Sequence, residues 1–194
     1  MTRLLFSLKT ALYPFHVKVG AQMATFCNYE LPMVYKEGHM KAHKACREDA
    51  TFFDVSHMLQ TTIRGKDSVK FLERISCGDI NELKPGQALY TLLLNKKGTI
   101  VDDAIVQKIK DGEYYLVSNA GCREKVVKYL KDIKNEESSE VDIFEIKKSL
   151  IAVQGPTAVA KFEKLVNTSL KDLYFMNGKD FDYQNIKMRV TRCG

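Results

Sequence analysis

The sequence has no long run of apolar residues and no glycine-rich phosphate-binding motif. Its apolar stretches, such as the one at 88–94, are too short to span a membrane, and none adjoins a small-residue cleavage site. Gly98, Gly121 and Gly155 are isolated, unlike the glycines of Walker or dinucleotide-binding loops. We therefore expect no membrane insertion, no secretion and no nucleotide-phosphate site.

The sequence also lacks cysteine and histidine patterns that bind metals. Its five cysteines are odd in number and form no C-x-x-C pair, which argues against a disulfide framework and a zinc ribbon and favours reduced surroundings. His39 and His43 are four residues apart on a helix predicted over 36–48, but a zinc protease would have glutamate in place of Met40. No metal site is predicted, and the two histidines are interpreted as surface or packing residues.

Acidic residues are missing from the N-terminus, which carries Arg3, Lys9 and Lys18 before the first acid at Glu30. The segment 1–10 suits a mitochondrial presequence and equally suits a short basic first helix, so both interpretations stay open. The net charge is +6, but lysine and arginine are scattered and form no basic stripe with interleaved aromatics. We expect no nucleic-acid partner.

Hydrophobic periodicity predicts a mixed α+β fold with mainly antiparallel sheet and flanking helices. Helices are predicted at 36–48, 68–75 and 122–134, and a further one from Thr157. Asp67 or Ser68 is expected to cap the second of these helices. Strands are predicted at 59–64, 88–94, 100–109, 114–119, 141–146 and 149–154, with hairpin turns at "NKKG" and "KDGE".

No internal repeat, low-complexity tract or linker is evident in the sequence. The last residues, "IKMRVTRCG", have the pattern of a strand that stops at Gly194 with no closing turn. A strand left without partners loses its backbone hydrogen bonds. We therefore expect this chain to be a fragment of a longer protein.

Asp102 and Asp103 lie side by side within a strand that otherwise has buried residue types. Neighbouring strand residues point to opposite faces, so we expect one of the two carboxylates to face the interior or a pocket. One interpretation is structural, with one solvated aspartate and the other capping a hairpin or pairing with a lysine. The other is functional, with a carboxylate that stabilises a developing cation or takes a proton.

Seven segments, taken in order and spacing, resemble the T-protein family, the aminomethyltransferases of the glycine cleavage system. The resemblance runs from about residue 11 to the end, so we treat 11–194 as the N-terminal portion of the folate-binding region. The segments are "LYPFH" at 12–16, "GAQMATF" at 20–26, "FFDVSHM" at 52–58, "N-x-x-G-x-I-x-D-D" at 95–103, "VSNAGCREK" at 117–125, "AVQGP" at 152–156 and "RVTRCG" at 189–194.

The resemblance implies a fold, a reaction and partners. T-proteins have a three-domain cloverleaf with tetrahydrofolate at its centre. They transfer to this folate the methylene of an aminomethyl group carried on the lipoyl arm of H-protein, with release of ammonia. The implied partners are therefore tetrahydrofolate and lipoylated H-protein, with no metal, and the implied location is the mitochondrial matrix or, alternatively, a bacterial cytoplasm.

The resemblance also implies site residues. The second aspartate of the family's pair faces the folate, and it corresponds to the catalytic candidate Asp103. Met58, Tyr90 and Asn119 match positions that approach the folate, for pterin packing, ring contact and polar contact respectively. For these three residues an ordinary core or turn role remains the alternative.

The sequence departs from the family pattern in two short places and one long one. Thr99 follows Gly98 where the family usually has a second glycine, and Cys27-Asn28-Tyr29 stands where an "AGW" is common. The family continues past "RCG" into a segment that supplies further folate contacts. A non-catalytic folate-binding scaffold, like the iron–sulfur assembly relatives, is the alternative function. The folate domain of a dimethylglycine or sarcosine dehydrogenase is disfavoured, because such domains normally follow a flavin domain and the match here begins within a dozen residues of Met1.

Overall fold

The computed structural model describes residues 7–194 and contains five α-helices, one short 3-10 helix (Ala120–Cys122) and twelve strands over that range. The α-helices and strands are named in chain order. In chain order these are β1 (Leu8–Lys9), α1 (Tyr13–Lys18), β2 (Gln22–Phe26), β3 (Tyr29–Val34), α2 (Gly38–Glu48), β4 (Thr51–Asp54), β5 (Leu59–Arg64), α3 (Ser68–Ile75), β6 (Ala88–Leu94), β7 (Ile100–Lys110), β8 (Glu113–Ser118), α4 (Arg123–Glu136), β9 (Asp142–Glu145), β10 (Ile151–Gln154), α5 (Ala158–Val166), β11 (Asn177–Tyr183) and β12 (Ile186–Arg192).

The chain forms two compact units. The first unit comprises Met1–His57 and Lys148–Leu170, and the second comprises Met58–Lys147 and Lys171–Gly194. Across the part of the chain that is described, no helix has the length and apolar character needed to cross a bilayer. The predicted presequence or basic helix at 1–10 lies mostly outside the described residues, and within it Leu8–Lys9 form the short strand β1.

A five-stranded antiparallel sheet dominates the second unit. Its strand order is β6-β7-β8-β5-β9, and tight turns join β6 to β7 and β7 to β8. In the first of these turns the Asn95 Oδ1 accepts hydrogen bonds from the backbone N–H groups of Lys97 and Thr99, and Gly98 has a φ of +74°. This positive φ is one that glycine adopts without the Cβ clash of other residues, so the turn suits its sequence.

The core of the second unit lies between one face of this sheet and the helices α3 and α4. Strand β8 alternates between buried and half-buried residues, and its buried Tyr114, Leu116 and Ser118 share the core face. Helix α4 buries Val126, Leu130 and Ile133, which lie on one side at helical spacing. The opposite face of the sheet is therefore left to carry other side chains, among them Asp103.

The first unit is built from smaller sheets. Strands β2 and β3 form a hairpin, β1 runs parallel to β3, and β4 pairs antiparallel with β10. At its centre the buried carboxylate of Asp54 accepts hydrogen bonds from the Thr10 hydroxyl (2.5 Å) and the Ser56 backbone N–H (3.0 Å). His16 Nε2 lies 3.2 Å from the same carboxylate, and His16 Nδ1 lies 2.8 Å from the Tyr35 hydroxyl.

The C-terminal strand has a partner, contrary to the expectation of an orphaned strand. Strand β12 pairs along its whole length with β11 in a hairpin that the sequence analysis did not predict. The Gln107 side chain of β7 connects this hairpin to the large sheet, because its Oε1 accepts a hydrogen bond from the Thr191 hydroxyl. Its Nε2 donates to the Gly86 carbonyl. The hairpin was missed because β11 contains several charged and small residues, which are poor strand formers.

A strand–glycine–helix segment occurs twice in the described chain, although no repeat was evident in the sequence. Strand β5 leads through Gly65 into α3, and β10 leads through Gly155 into α5, with the helix starting three residues after the glycine in both cases. In both segments the first helical N–H donates to the glycine carbonyl, at 3.2 Å from Ser68 and 3.1 Å from Ala158. The repeat was missed because few residues other than the glycine are shared.

The predicted α+β class with mainly antiparallel sheet is confirmed, and strands β5 and β6 and helix α3 have the predicted bounds. The predicted side-chain cap of α3 is wrong. Asp67 occupies the N-cap position, but it makes no capping hydrogen bond there and instead accepts one from the backbone N–H of Glu140 at 2.8 Å. The Asp67 carboxylate therefore binds a residue distant in sequence and does not cap its own helix.

Candidate functional site

The four predicted site residues come together in the second unit, on the end of the large sheet that bears Asp103. Strand register explains the grouping: Leu59 and Ala104 both pair with Ser118, so the chain positions of Met58 and Asp103 flank that of Asn119. On the other side of Asp103, the directly paired residue is Leu92 of β6. Tyr90 lies two residues before Leu92, on the same face.

Asp103 is half-buried, and each of its carboxylate oxygens accepts a hydrogen bond. The Asn119 Nδ2 donates to Oδ1 at 2.7 Å, and the Tyr90 hydroxyl donates to Oδ2 at 3.1 Å. The Tyr90 side chain is 57% exposed. The hydrogen bond to Asp103 and the negative charge of that carboxylate raise the pKa of Tyr90, so the phenol keeps its proton at neutral pH and remains a donor.

Asp102 points to the opposite, buried face and is only 6% exposed. Its Oδ2 accepts from the Asn119 backbone N–H and its Oδ1 from the Asn119 Nδ2, both at 2.9 Å. The strand register shifts at Val101, where Leu93 pairs with Asp102 and Leu94 pairs with Ile100. The extra residue of this bulge lets Val101 and Asp102 both be buried, which strict alternation would not allow.

The backbone at Met58 is held by a side chain from α4. The Arg123 guanidinium donates to the Met58 carbonyl at 3.3 Å through Nη2, and its Nη1 forms an ion pair with Glu145 of β9. Met58 itself is half-buried. Sequence analysis missed Arg123, although its position in "VSNAGCREK", four residues after Asn119, was a signal that could have found it.

Half-buried apolar side chains lie beside Asp103 on its face of the sheet. Ile105 pairs with Tyr90 on one side and with Val117 on the other, and Leu92 pairs with Asp103 itself. The site thus combines apolar surface, one exposed aromatic ring and a carboxylate held by two donors. Such a combination can pack a flat ring and accept a proton or stabilise a positive charge on it.

Within residues 7–194, no group of three or more histidine, cysteine or acidic side chains is arranged to hold a metal ion. His39 and His43 are exposed on α2, as interpreted from the sequence.

Comparison with known proteins places these observations in a family. The family model described as "GCVT N-terminal domain" matches residues 12–194. The chain is 40% identical over 190 residues to a mouse protein named "Aminomethyltransferase, mitochondrial", covering 96% of this chain and 47% of the mouse protein. A relative of the same name from Flaveria pringlei is 36% identical with the same coverage.

A solved structure is also similar to this chain. The glycine cleavage system aminomethyltransferase T from Bartonella henselae superposes with a TM-score of 0.83 at 31% identity, covering 89% of this chain and 47% of that one. The chain thus spans about half the length of the relatives it matches. Since the family model covers nearly the whole chain, the chain belongs to the GCVT N-terminal domain family.

Proposed function

We propose that this chain is the N-terminal part of a tetrahydrofolate-dependent aminomethyltransferase of the glycine cleavage system. The observation that carries the proposal is the half-buried Asp103 carboxylate, whose two oxygens are held by Asn119 and Tyr90 beside apolar surface. Family membership and the names of the relatives support it independently.

The proposed reaction moves the methylene of an aminomethyl group from the lipoyl arm of H-protein to tetrahydrofolate, with release of ammonia. The acceptor nitrogen of the folate loses a proton, and positive charge develops near the pterin as the methylene is transferred. A fixed carboxylate at Asp103 can accept or relay that proton and stabilise that charge. A carboxylate held by two donors keeps its position while the charge changes.

The surroundings of Asp103 suit a folate ring. The exposed ring of Tyr90 offers an aromatic surface, and Leu92 and Ile105 offer apolar surface next to the carboxylate. We propose that Met58 packs on the pterin, Tyr90 contacts a ring of the folate, and Asn119 makes a polar contact through its Oδ1. Both hydrogens of the Asn119 amide are directed to carboxylates, which leaves that oxygen as the group available to a ligand.

The proposed protein partner is lipoylated H-protein, and the proposed location is the mitochondrial matrix. The net charge of +6 favours docking of an acidic partner. The names of mitochondrial relatives support the location.

The decisive experiment is single-turnover transfer from aminomethyl-loaded H-protein to tetrahydrofolate, over a range of salt concentrations. It compares this chain with the mouse relative in which the matching segment is replaced by this chain. Asp103→Asn is expected to lower the rate by about 10² to 10⁴-fold, the range typical of a lost acid–base group. Tetrahydrofolate binding, measured by calorimetry, is expected to persist in this variant.

The outcomes separate the candidate functions. Transfer that depends on Asp103 and weakens with salt supports the enzyme and its acidic partner. If the mouse relative that carries this chain binds tetrahydrofolate but transfers no methylene, the folate-binding scaffold is supported. Transfer that is indifferent to Asp103→Asn removes the role assigned to this carboxylate.

A further inference from the structure

The buried aspartate of the pair has two acceptor atoms that both face N–H donors of one residue. Asp102 Oδ2 takes the backbone N–H of Asn119, and Oδ1 takes its side-chain Nδ2, each at 2.9 Å. Burying a carboxylate is costly unless hydrogen bonds compensate. An asparagine at position 102 would place its own NH2 against one of these donors, so the geometry calls for a carboxylate.

A neighbouring thiol adds to this environment. Burial raises the pKa of the Cys122 thiol, and the hydrogen bond and charge of Asp102 raise it further. The thiol therefore keeps its hydrogen at neutral pH and also faces Asp102 as a weak donor.

The Asn119 side chain joins the two carboxylates. Its Nδ2 lies 2.9 Å from Asp102 Oδ1 and 2.7 Å from Asp103 Oδ1. An amide NH2 has two hydrogens, so each carboxylate receives one. Rotation of the amide would break two hydrogen bonds to charged groups, and these are stronger than bonds between neutral groups.

We propose that Asp102 is a positioning residue that acts through Asn119 to orient Asp103. In this arrangement Asp102 fixes the Asn119 amide from the buried face, and the amide fixes one oxygen of Asp103 while Tyr90 holds the other. In this proposal Asp103 contacts the substrate, whereas Asp102 does not. This rests on the function proposed for Asp103, but the positioning itself is measurable without any catalysis.

The position of Asn119 at the end of β8 is what makes the arrangement compatible with a strand. Adjacent residues point to opposite faces, so two neighbouring carboxylates can contact the same amide only where that amide lies at the end of the sheet. Asn119 is the residue immediately after β8, beyond the last paired residue Ser118, and its side chain reaches both faces there.

The first test needs no substitution. In the isotope-labelled chain, NMR couplings through hydrogen bonds are expected between the Asn119 Nδ2 and the carboxylate carbons of both Asp102 and Asp103. A coupling to Asp103 alone would overturn the proposal, and this result is independent of whether any variant folds.

The second test uses Asp102→Asn, with Asp54→Asn as the matched control because Asp54 is also a buried, hydrogen-bonded aspartate but lies in the other unit. Exchange of the Asn119 side-chain NH2 protons with water is expected to become about tenfold faster, or more, in Asp102→Asn, since a hydrogen bond to a charged group is lost. The control is expected to leave this exchange rate unchanged. Equal rates in Asp102→Asn and the wild type would contradict the proposal.

The third test is a double-mutant cycle on single-turnover transfer. It uses the mouse relative in which this chain replaces the matching segment. Asp102→Asn is expected to lower the rate on the order of 10²-fold, as a misplaced reacting group does, with a smaller change in tetrahydrofolate affinity. Adding Asp102→Asn to Asn119→Ala is expected to cause no further loss, because Asp102 acts through Asn119. If the rate losses of Asp102→Asn and Asn119→Ala multiply in the double variant, the proposal is overturned. If the wild type shows no transfer, the proposed function is overturned and the NMR result still stands.

Discussion

The two strand–glycine–helix segments share a backbone design in spite of their different sequences. Gly65 and Gly155 have φ angles of +150° and +127°, and a Cβ on either would lie 2.1 or 2.2 Å from a backbone carbonyl oxygen. That oxygen belongs to Glu140 in the first case and to Asp49 in the second. In both cases it lies two residues before the strand that pairs with the segment, β9 or β4.

The two helices differ in what they bury. Ten residues after the glycine, Ile75 of α3 is fully buried, whereas the equivalent Leu165 of α5 is 56% exposed. Helix α3 also buries Phe71 and Leu72 in the core of the second unit. The glycine and its close contact therefore set the path of the chain, while the surrounding elements decide whether the helix contributes to a core.

The largest expected effect tests the shared part of the design. Gly65→Ala and Gly155→Ala are each expected to cost about 3 kcal/mol of unfolding free energy or more, because the new Cβ overlaps a backbone atom and the φ is unfavourable. Gly98→Ala is the control, since it has a positive φ but nothing within 4 Å of its Cβ. Urea unfolding measures all three, and a cost at Gly65 or Gly155 no larger than that at Gly98 would refute the contact.

The next prediction concerns the helix residues in which the two segments differ. Ile75→Ala is expected to cost about 2 to 5 kcal/mol of unfolding free energy, since it leaves a cavity in a packed core. Leu165→Ala, the equivalent exposed substitution, is expected to change stability by less than about 1 kcal/mol. Thermal and urea unfolding of the two variants give the comparison directly. Similar costs would mean that α5 is packed as tightly as α3.

The smallest effect concerns the first unit, whose interior includes the charged Asp54. Burial raises the pKa of Asp54, but hydrogen bonds from Ser56, Thr10 and His16 outweigh it, and the net pKa is below the ordinary value of 3.8. The ionised carboxylate therefore contributes stability above about pH 4, and this contribution is lost as the pH falls through the lowered pKa.

Amide hydrogen exchange of the first unit at a series of acidic pH values measures this contribution. The stability difference between wild type and Asp54→Asn is expected to shrink as the pH falls below about 4, since the wild-type carboxylate becomes protonated. A difference that stays constant across this range would show that the charge of Asp54 does not stabilise the unit.

Much of the second unit was predictable from its sequence because its elements follow simple periodicity. Strand β8 alternates in burial, and α4 buries residues at helical spacing, so local pattern and tertiary environment agree. The hairpin of β11 and β12 was not predictable in the same way. Its two strands pair with each other across a short turn, but the charged and small residues of β11 give little strand signal.

The site was partly predictable. Motif order indicated Asp103, Met58, Tyr90 and Asn119, and the register of the sheet brings their positions together. The sequence predicted that a carboxylate pair lies in a strand and that one of the two faces the interior or a pocket. It did not determine which one, because Ala104, Ile105 and Val106 place apolar residues on both faces of the strand.

The fold class, the approximate positions of most elements of the second unit and the presence of an unusual aspartate pair therefore follow from the sequence, because local periodicity and turn chemistry specify them. Three features required the folded structure: Asp102 is buried against Asn119, Arg123 holds the backbone at Met58, and Asp54 lies in a network with His16. Each of these contacts joins residues at least 17 positions apart, and local chain preferences do not specify such contacts.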